Sequence, residues 1–199
     1  MIETPVLDGH RVRLEPLTEG HLAALEEVAF DERIWRYMLT RVRTRDDLRG
    51  WMEAALRARE AGNVLPWVTV LKSEGRVVGS TRFLDLDLTN KTVEIGHTWI
   101  APDYQGAGVN PEAKLLQLRY AFEELGLNRV ALKTHHENLQ SQAAMRKMGA
   151  VEEGTFRNHY VMPDGSARHS VWFSIVREEW SGVRARLEER LEREKALFP

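Results

Sequence analysis

Hydrophobic and polar positions divide the chain into stretches with two different periods. From His10 to Leu17 they alternate, with Val12, Leu14 and Pro16 set against Arg11, Arg13 and Glu15, which predicts a strand. After Thr18 the spacing becomes helical, and Leu22, Leu25 and Val28 share one face. A second helical run carries Leu48, Trp51, Met52, Ala55 and Leu56. It opens on Thr44, with Asp47 three residues later as in a capping box, and ends near Gly62. Between these runs lies an aromatic loop segment, Trp35, Tyr37, Met38 and Leu39. It suits either a substrate-facing lid or a plug at the core edge. From Leu65 the texture turns to β: Trp67 to Leu71 and Val77 to Phe83 read as a hairpin, and Thr92 to Ile100 as the next strand. The segment from Leu115 to Leu125 is mostly apolar, with Lys114, Gln117 and Glu124 as a narrow polar stripe. Arg129 to Thr134 predicts a short strand with Val130 and Leu132 on one face, and Asn138 to Met148 a short helix closed by Gly149. Two further strands flank the turn Pro163-Asp164-Gly165. A tail helix places Trp180, Val183, Leu187 and Leu191 on one stripe, free to pack on its own domain or on a second subunit of a homodimer.

One junction has chemistry as well as pattern. The strand ending at Ile100 runs through Ala101 into a turn, Gln105-Gly106-Ala107-Gly108, and then into a helix expected to start with Asn110 as cap and Pro111 in its first position. Glycine lets backbone approach a ligand closely. Free N–H groups and the positive end of the helix dipole favour an anion there, phosphate above all. The competing reading is an ordinary strand–turn–helix connection.

Composition narrows the field. The 199 residues are 43% hydrophobic and 29% charged, which is globular. A net charge of −2 gives no field for nucleic acid. The absence of cysteine excludes disulfides, thiolate metal sites and a cysteine nucleophile, and fits a cytoplasmic setting. Residues Met1 to Pro5 carry an acid and no long apolar run, so no signal peptide is expected. No stretch reaches the ~18 apolar residues of a membrane helix.

The motif Gln105-Gly106-Ala107-Gly108-Val109-Asn110 resembles the Gln/Arg-x-x-Gly-x-Gly/Ala signature of the GNAT N-acetyltransferases, departing at Asn110. With Glu112, Ala113 and Lys114 it looks like the RimJ/RimL-like subgroup, as do Asn138-x-x-Ser141, Lys147 to Ala150 and the Asp164-Gly165 hairpin. The resemblance implies an α/β fold with a mixed sheet of six to seven strands, helices on both faces, splayed central strands and a C-terminal helix. It places the domain at residues 8–183, with a helical extension over 184–199. It implies acetyl-CoA as co-substrate, with its pyrophosphate on the N–H groups from Gln105 to Asn110 and its pantetheine arm on the backbone of Trp99, Ile100 and Ala101. Asn138 and Ser141 would lie opposite.

Acetyl transfer to an amine needs a proton acceptor and a hold on the departing sulfur. Glu94, eleven residues before Gln105, is the candidate base, and a structural ion pair is its other reading. Alternation puts Glu94, Gly96, Thr98 and Ile100 on one face and Val93, Ile95, His97 and Trp99 on the other. His97 is a secondary candidate. Met145 stands where many members carry a tyrosine acid, so Ser141 is the group to hold or protonate sulfur, unless its hydroxyl bonds backbone. Lys114 either approaches a phosphate or stays solvated. His135, His136 and Glu137 are adjacent and expected to point apart, so no metal site is expected. The acceptor is expected to be a protein N-terminal α-amine, a ribosomal protein among the candidates. A polyamine or other small amine, or a non-catalytic acyl-CoA-binding module, are the alternatives.

Overall fold

The computed structural model describes residues 3–106 and 108–197. Eight strands form one sheet: β1 (Leu7–Asp8), β2 (Val12–Pro16), β3 (Leu65–Leu71), β4 (Arg76–Asp87), β5 (Thr92–Ile100), β6 (Arg129–His135), β7 (Val151–Val161) and β8 (Ala167–Val176). Their order is β1-β2-β3-β4-β5-β6-β8-β7, one strand beyond the expected count, because the two-residue β1 pairs with β2. Every pairing is antiparallel except β5 with β6.

That parallel pairing is short. It joins Thr92–Ile95 to Arg129–Leu132 and stops there, so the two central strands part as expected. The physical cause lies at His97. Ser80 faces Trp99 and Arg82 faces Gly96, leaving one extra residue on β5, and His97 takes φ +47°. Such a β-bulge bends and twists its strand. It also moves later side chains to the opposite face. Val93 and Ile95 sit in the large core with the helix that follows, whereas Trp99 joins the aromatic cluster on the other side. Thr98 meets Lys114 below the sheet. The expected grouping of Glu94 with Thr98 and Ile100 is therefore corrected: Glu94, His97 and Trp99 look to the same side.

Helices cover the two faces unequally. On one face α4 (Val109–Arg119), α5 (Leu139–Met148) and α6 (Trp180–Leu197) bury the main core around Phe83, Leu132 and Phe173. Each such buried side chain contributes ~1.5–3 kcal/mol. The stripe Trp180, Val183, Leu187 and Leu191 lies in that core, so the tail packs on its own chain. The helix crosses residue 183 without a break, and Leu187 and Leu191 beyond it pack with Val183 in the same core. On the other face α1 (Leu22–Glu26), α2 (Glu32–Trp35) and α3 (Arg45–Glu60) pack over β3 to β5 through Trp35, Trp51 and Trp99. The expected capping box at Thr44 and Asp47 starts α3, with Thr44 N–H to Asp47 Oδ2 at 3.0 Å and Asp47 N–H to Thr44 Oγ1 at 3.2 Å. Among the described residues no helix is long and apolar enough to cross a membrane.

Candidate active site

The turn after β5 forms a cradle. Gly106 and Gly108 both have left-handed backbone, φ +84° and +79°. A Cβ on Gly106 would meet nothing within 4 Å, so this turn is open, whereas a Cβ on Gly108 would lie 2.6 Å from Glu194 of α6. Gly108 is the residue that caps α4. The expected cap at Asn110 is thus corrected: α4 starts at Val109, and Pro111 sits in the middle of its first turn, where a missing N–H costs nothing. Helix geometry leaves the N–H groups of Val109 and Asn110 without carbonyl partners in α4. Asn110 Oδ1 is buried and unpaired as well. Ala107 lies outside the described residues.

Around the cradle, parts of the expected pantetheine surface are already engaged. Ala101 donates its N–H to the Val78 carbonyl at 2.8 Å, and the Ile100 carbonyl accepts from Gln105 Nε2 at 2.9 Å. The Ala101 N–H is therefore turned to β4 and is not free, whereas the Ile100 carbonyl is covered by a side chain of the turn. Trp99 is buried against Trp35 and Trp51. Gln105 also meets Gln140 in the first turn of α5 at 3.5 Å, so the two sides of the strand split touch here. Asn138 caps α5, its Oδ1 accepting from Ser141 N–H at 3.1 Å. The Ser141 hydroxyl has no partner among the described residues, and Met145 packs partly buried on the core.

Glu94 lies on the opposite face. It is 5% exposed, and its carboxylate accepts from Lys133 Nζ at 2.5 Å. Burial raises its pKa, and the charge and hydrogen bond of Lys133 oppose that rise. Gly96 makes room for it, since a Cβ there would stand 3.0 Å from Glu94 Oε1 and 2.7 Å from Leu84 Cδ1. Lys133 in turn lies over the Trp172 ring, 4.8 Å from its centroid, and 5.9 Å from that of Tyr160. His97 is driven down to about 4, first by burial and then by Arg82, Lys133 and Arg168. It is a neutral imidazole with Nδ1 buried and unpaired.

The half-sheet of β6, β8 and β7 carries Lys133, Arg168, Trp172 and Tyr160 on this face. The segment between α2 and α3 meets them: Arg168 Nη1 donates to the Tyr37 carbonyl at 3.3 Å, and Tyr37 stacks near His135 at 5.3 Å. Arg41 reaches Asp164 of the β7–β8 turn at 3.4 Å. Two loops remote in sequence thus enclose one site. Lys133 and Arg168 escaped sequence reading. Their one signal was alternation: Lys133 is out of phase with Val130 and Leu132, on a strand expected beside the strand of Glu94.

Lys114 is neither near the turn nor solvated, which corrects both expectations. Residues Glu112 to Leu118 are all buried, because the sheet and α6 enclose α4. The ammonium bonds Thr98 Oγ1 at 2.8 Å, Gln117 Oε1 at 3.1 Å and Thr81 Oγ1 at 3.3 Å, and burial drives its pKa to about 7. His135 and His136 do not point apart either. Their rings stack at 4.4 Å, because His136 lies past the end of β6. Among the described residues no group of three or more His, Asp or Glu converges as a metal site would.

The profile described as Acetyltransferase (GNAT) domain matches residues 11–151. The chain belongs to the GNAT acetyltransferase family. This N-acetyltransferase is 36% identical over 109 residues to "Putative ribosomal N-acetyltransferase YdaF" of Bacillus subtilis, a match covering 55% of this chain and 58% of that protein. It is 28% identical to the uncharacterized N-acetyltransferase YnaD of the same organism, over 79% of this chain and 89% of the relative. The crystal structure of a GCN5-related N-acetyltransferase from Brucella melitensis superposes with a TM-score of 0.88 at 27% identity, covering 94% of this chain and 86% of that one. Acetyl-CoA is the acyl donor of this acetyltransferase. The open turn at Gly106 and the first-turn N–H groups of α4, which have no carbonyl partner within the helix, fit an anionic group such as its phosphates; the buried Asn110 Oδ1, an acceptor, does not take part.

Proposed function

We propose that the enzyme acetylates the N-terminal α-amine of a peptide or protein, with Glu94 as the base. The observation that carries this reading is the buried Glu94 carboxylate on β5, one residue before β5 and β6 part, paired with Lys133 of β6. Acetyl-CoA supplies the acyl thioester. Glu94 receives the proton that the amine nitrogen loses, directly or through water. Its basicity is raised by burial but limited by Lys133, so it suits an amine that is partly neutral at physiological pH. An α-amine, with a pKa of ~7.7–8.0, meets that condition better than a lysine or polyamine amine near ~10.4. The word "ribosomal" in the YdaF name points the same way. His97, held near 4, is the weaker base. The unpartnered Ser141 hydroxyl is the group available to hold sulfur, and the cofactor residues are Gln105 to Asn110 with Asn138 at the facing helix start. The catalytic domain spans residues 8–183, with α6 continuing beyond it as a buttress.

Release of CoA, measured with a panel of N-terminal peptides and with spermidine, tests the reading. Turnover of peptide α-amines is expected. Turnover of spermidine alone would overturn it.

A further inference from the structure

The face around Glu94 holds more positive charge than the chain neutralises. Arg82 is 5% exposed and Arg168 7% exposed. Neither has a carboxylate within 4 Å among the described residues: Glu94 pairs with Lys133, and although Glu94 and the exposed Asp85 add negative charge to the site, three cations still face two carboxylates. Arg82 lies over the Trp51 ring at 4.3 Å, gives Nη2 to the Trp51 carbonyl at 3.4 Å, and leaves a buried Nε with no acceptor. Arg168 uses Nε on Ser170 Oγ at 3.2 Å and Nη1 on the Tyr37 carbonyl at 3.3 Å. A guanidinium has five N–H donors, so most of its fork remains unassigned. Lys133 and Arg168 both lie over the Tyr160 ring, 5.9 and 5.7 Å from its centroid, and together with Arg82 they lower the pKa of His97. A buried charge is costly unless it is paired. Each guanidinium has only neutral partners within hydrogen-bond reach, so an anion from outside the chain would complete the pairing.

We infer that the acceptor is an acidic peptide, whose amine is taken by Glu94 while a carboxylate near its N-terminus pairs with Arg168, inside the positive field of Arg82. This rests on the acceptor-site reading above and narrows it. Arg168 is suited to the role because it is held by the Tyr37 segment on one side and β8 on the other, leaving a planar fork directed by two fixed contacts. A polyamine would bring further positive charge to a site already in excess.

The test compares kcat/KM for peptides beginning Ser-Glu, Ser-Gln and Ser-Lys, and for spermidine, all with acetyl-CoA. The Glu peptide is expected to exceed its Gln isostere by about tenfold or more, since a site built for a charge-assisted contact rejects the analogue lacking it. Lys and spermidine are expected to rank last. In Arg168→Gln the Glu-to-Gln ratio is expected to fall to about one, and Arg168→Lys to restore a preference of severalfold. Thermal melting of each variant shows whether it is folded, and Arg168→Lys decides the matter where the Gln variant is not. Equal rates for Glu and Gln peptides, or an unchanged ratio in the folded variants, would overturn the inference alone. No acetylation of any probe would overturn it together with the acceptor reading. Free L-glutamate carries the same chemistry in a small molecule, and a higher kcat/KM for it than for the Glu peptide would overturn the choice of a peptide.

Discussion

Glu94 and Glu112 are carboxylates buried to nearly the same depth, 5% and 6% exposed, and they are held in opposite ways. Glu112 sits under the sheet. Its Oε1 accepts from His10 N–H at 2.5 Å and Arg11 N–H at 3.2 Å, and its Oε2 from Arg11 N–H at 3.0 Å and Val12 N–H at 3.1 Å. Those donors are main chain and cannot leave, so Glu112 pins the start of β2 to α4. Glu94 is held by the end of one flexible lysine, on the other face, beside the loop after α2 and the β7–β8 turn. A lysine can exchange one partner for another, and backbone cannot. The same residue type is a fixed strut on one face and an exchangeable group, the base in our proposal, on the other. The number and mobility of its donors, rather than its burial, make the difference.

The largest effect separating them is expected in chemistry. Glu94→Gln should lower kcat by ~10²–10⁴-fold, the usual weight of a general base, while CoA affinity stays close to wild type; the melting temperature should fall, since Gln keeps an acceptor for Lys133 but not its countercharge. Because burial raises its pKa, the acid limb of the wild-type pH–rate profile should lie above the ordinary carboxylate range and vanish in the variant. A variant with undiminished turnover would return Glu94 to a purely structural pairing with Lys133.

Next comes stability. Glu112→Ala removes the acceptor of three N–H groups, of which that of Val12 is buried and those of His10 and Arg11 are nearer the surface, and should cost ~3 kcal/mol in urea unfolding, with about 1–3 kcal/mol from the buried group and less from each of the others. A loss no larger than that of Glu94→Gln would erase the contrast between the two carboxylates.

Lys114 extends the comparison to cations, since Lys133 has a carboxylate and Lys114 only neutral oxygens. Its folded pKa is about 7, against ~10.4 unfolded, so the unfolded chain binds the extra proton between those values. Stability should therefore rise with pH across that window, by up to ~1.4 kcal/mol per pH unit. Lys114→Met should flatten the rise. Parallel curves for the two proteins would mean that the lysine keeps its charge in the fold.

The smallest expected effect is at the cradle. Gly106→Asp, on a residue whose Cβ would meet nothing, strains a left-handed backbone at φ +84°, so it should cost a little stability and weaken CoA binding about fivefold, ~1 kcal/mol by titration calorimetry. Gly108 is less informative, since any side chain there strikes Glu194.

Periodicity and punctuation made much of the fold legible. Thr92–Ile100 appears with the bounds expected of it, the Thr44 and Asp47 box caps α3, and the turn–helix unit after Ile100 stands where the glycines placed it. These are local properties, fixed by backbone preferences and side chains a few residues apart. The start of α4 was misjudged by two residues because Asn and Pro are good first-turn residues as well as good caps, and a left-handed glycine caps without a side chain. The polar stripe of Lys114 and Gln117 was misjudged for a different reason. Spacing tells which residues share a side of a helix, and not whether that side meets water.

The sequence by itself determined the strand, turn and helix that we propose cradle a phosphate, the family they resemble, and Glu94 as a carboxylate on the entering strand. Only the tertiary structure decided which way that carboxylate looks and what it meets. The bulge at His97 reverses the facing of β5 after Ile95, an event that alternation cannot register. Lys133 lies thirty-nine positions from Glu94 and reaches it because β5 and β6 run side by side for four residues before they part. Arg168 and Tyr37, farther apart still, meet across the same opening. Charge balance in a buried site is a sum over such distant neighbours, and it exists only once the chain has closed around it.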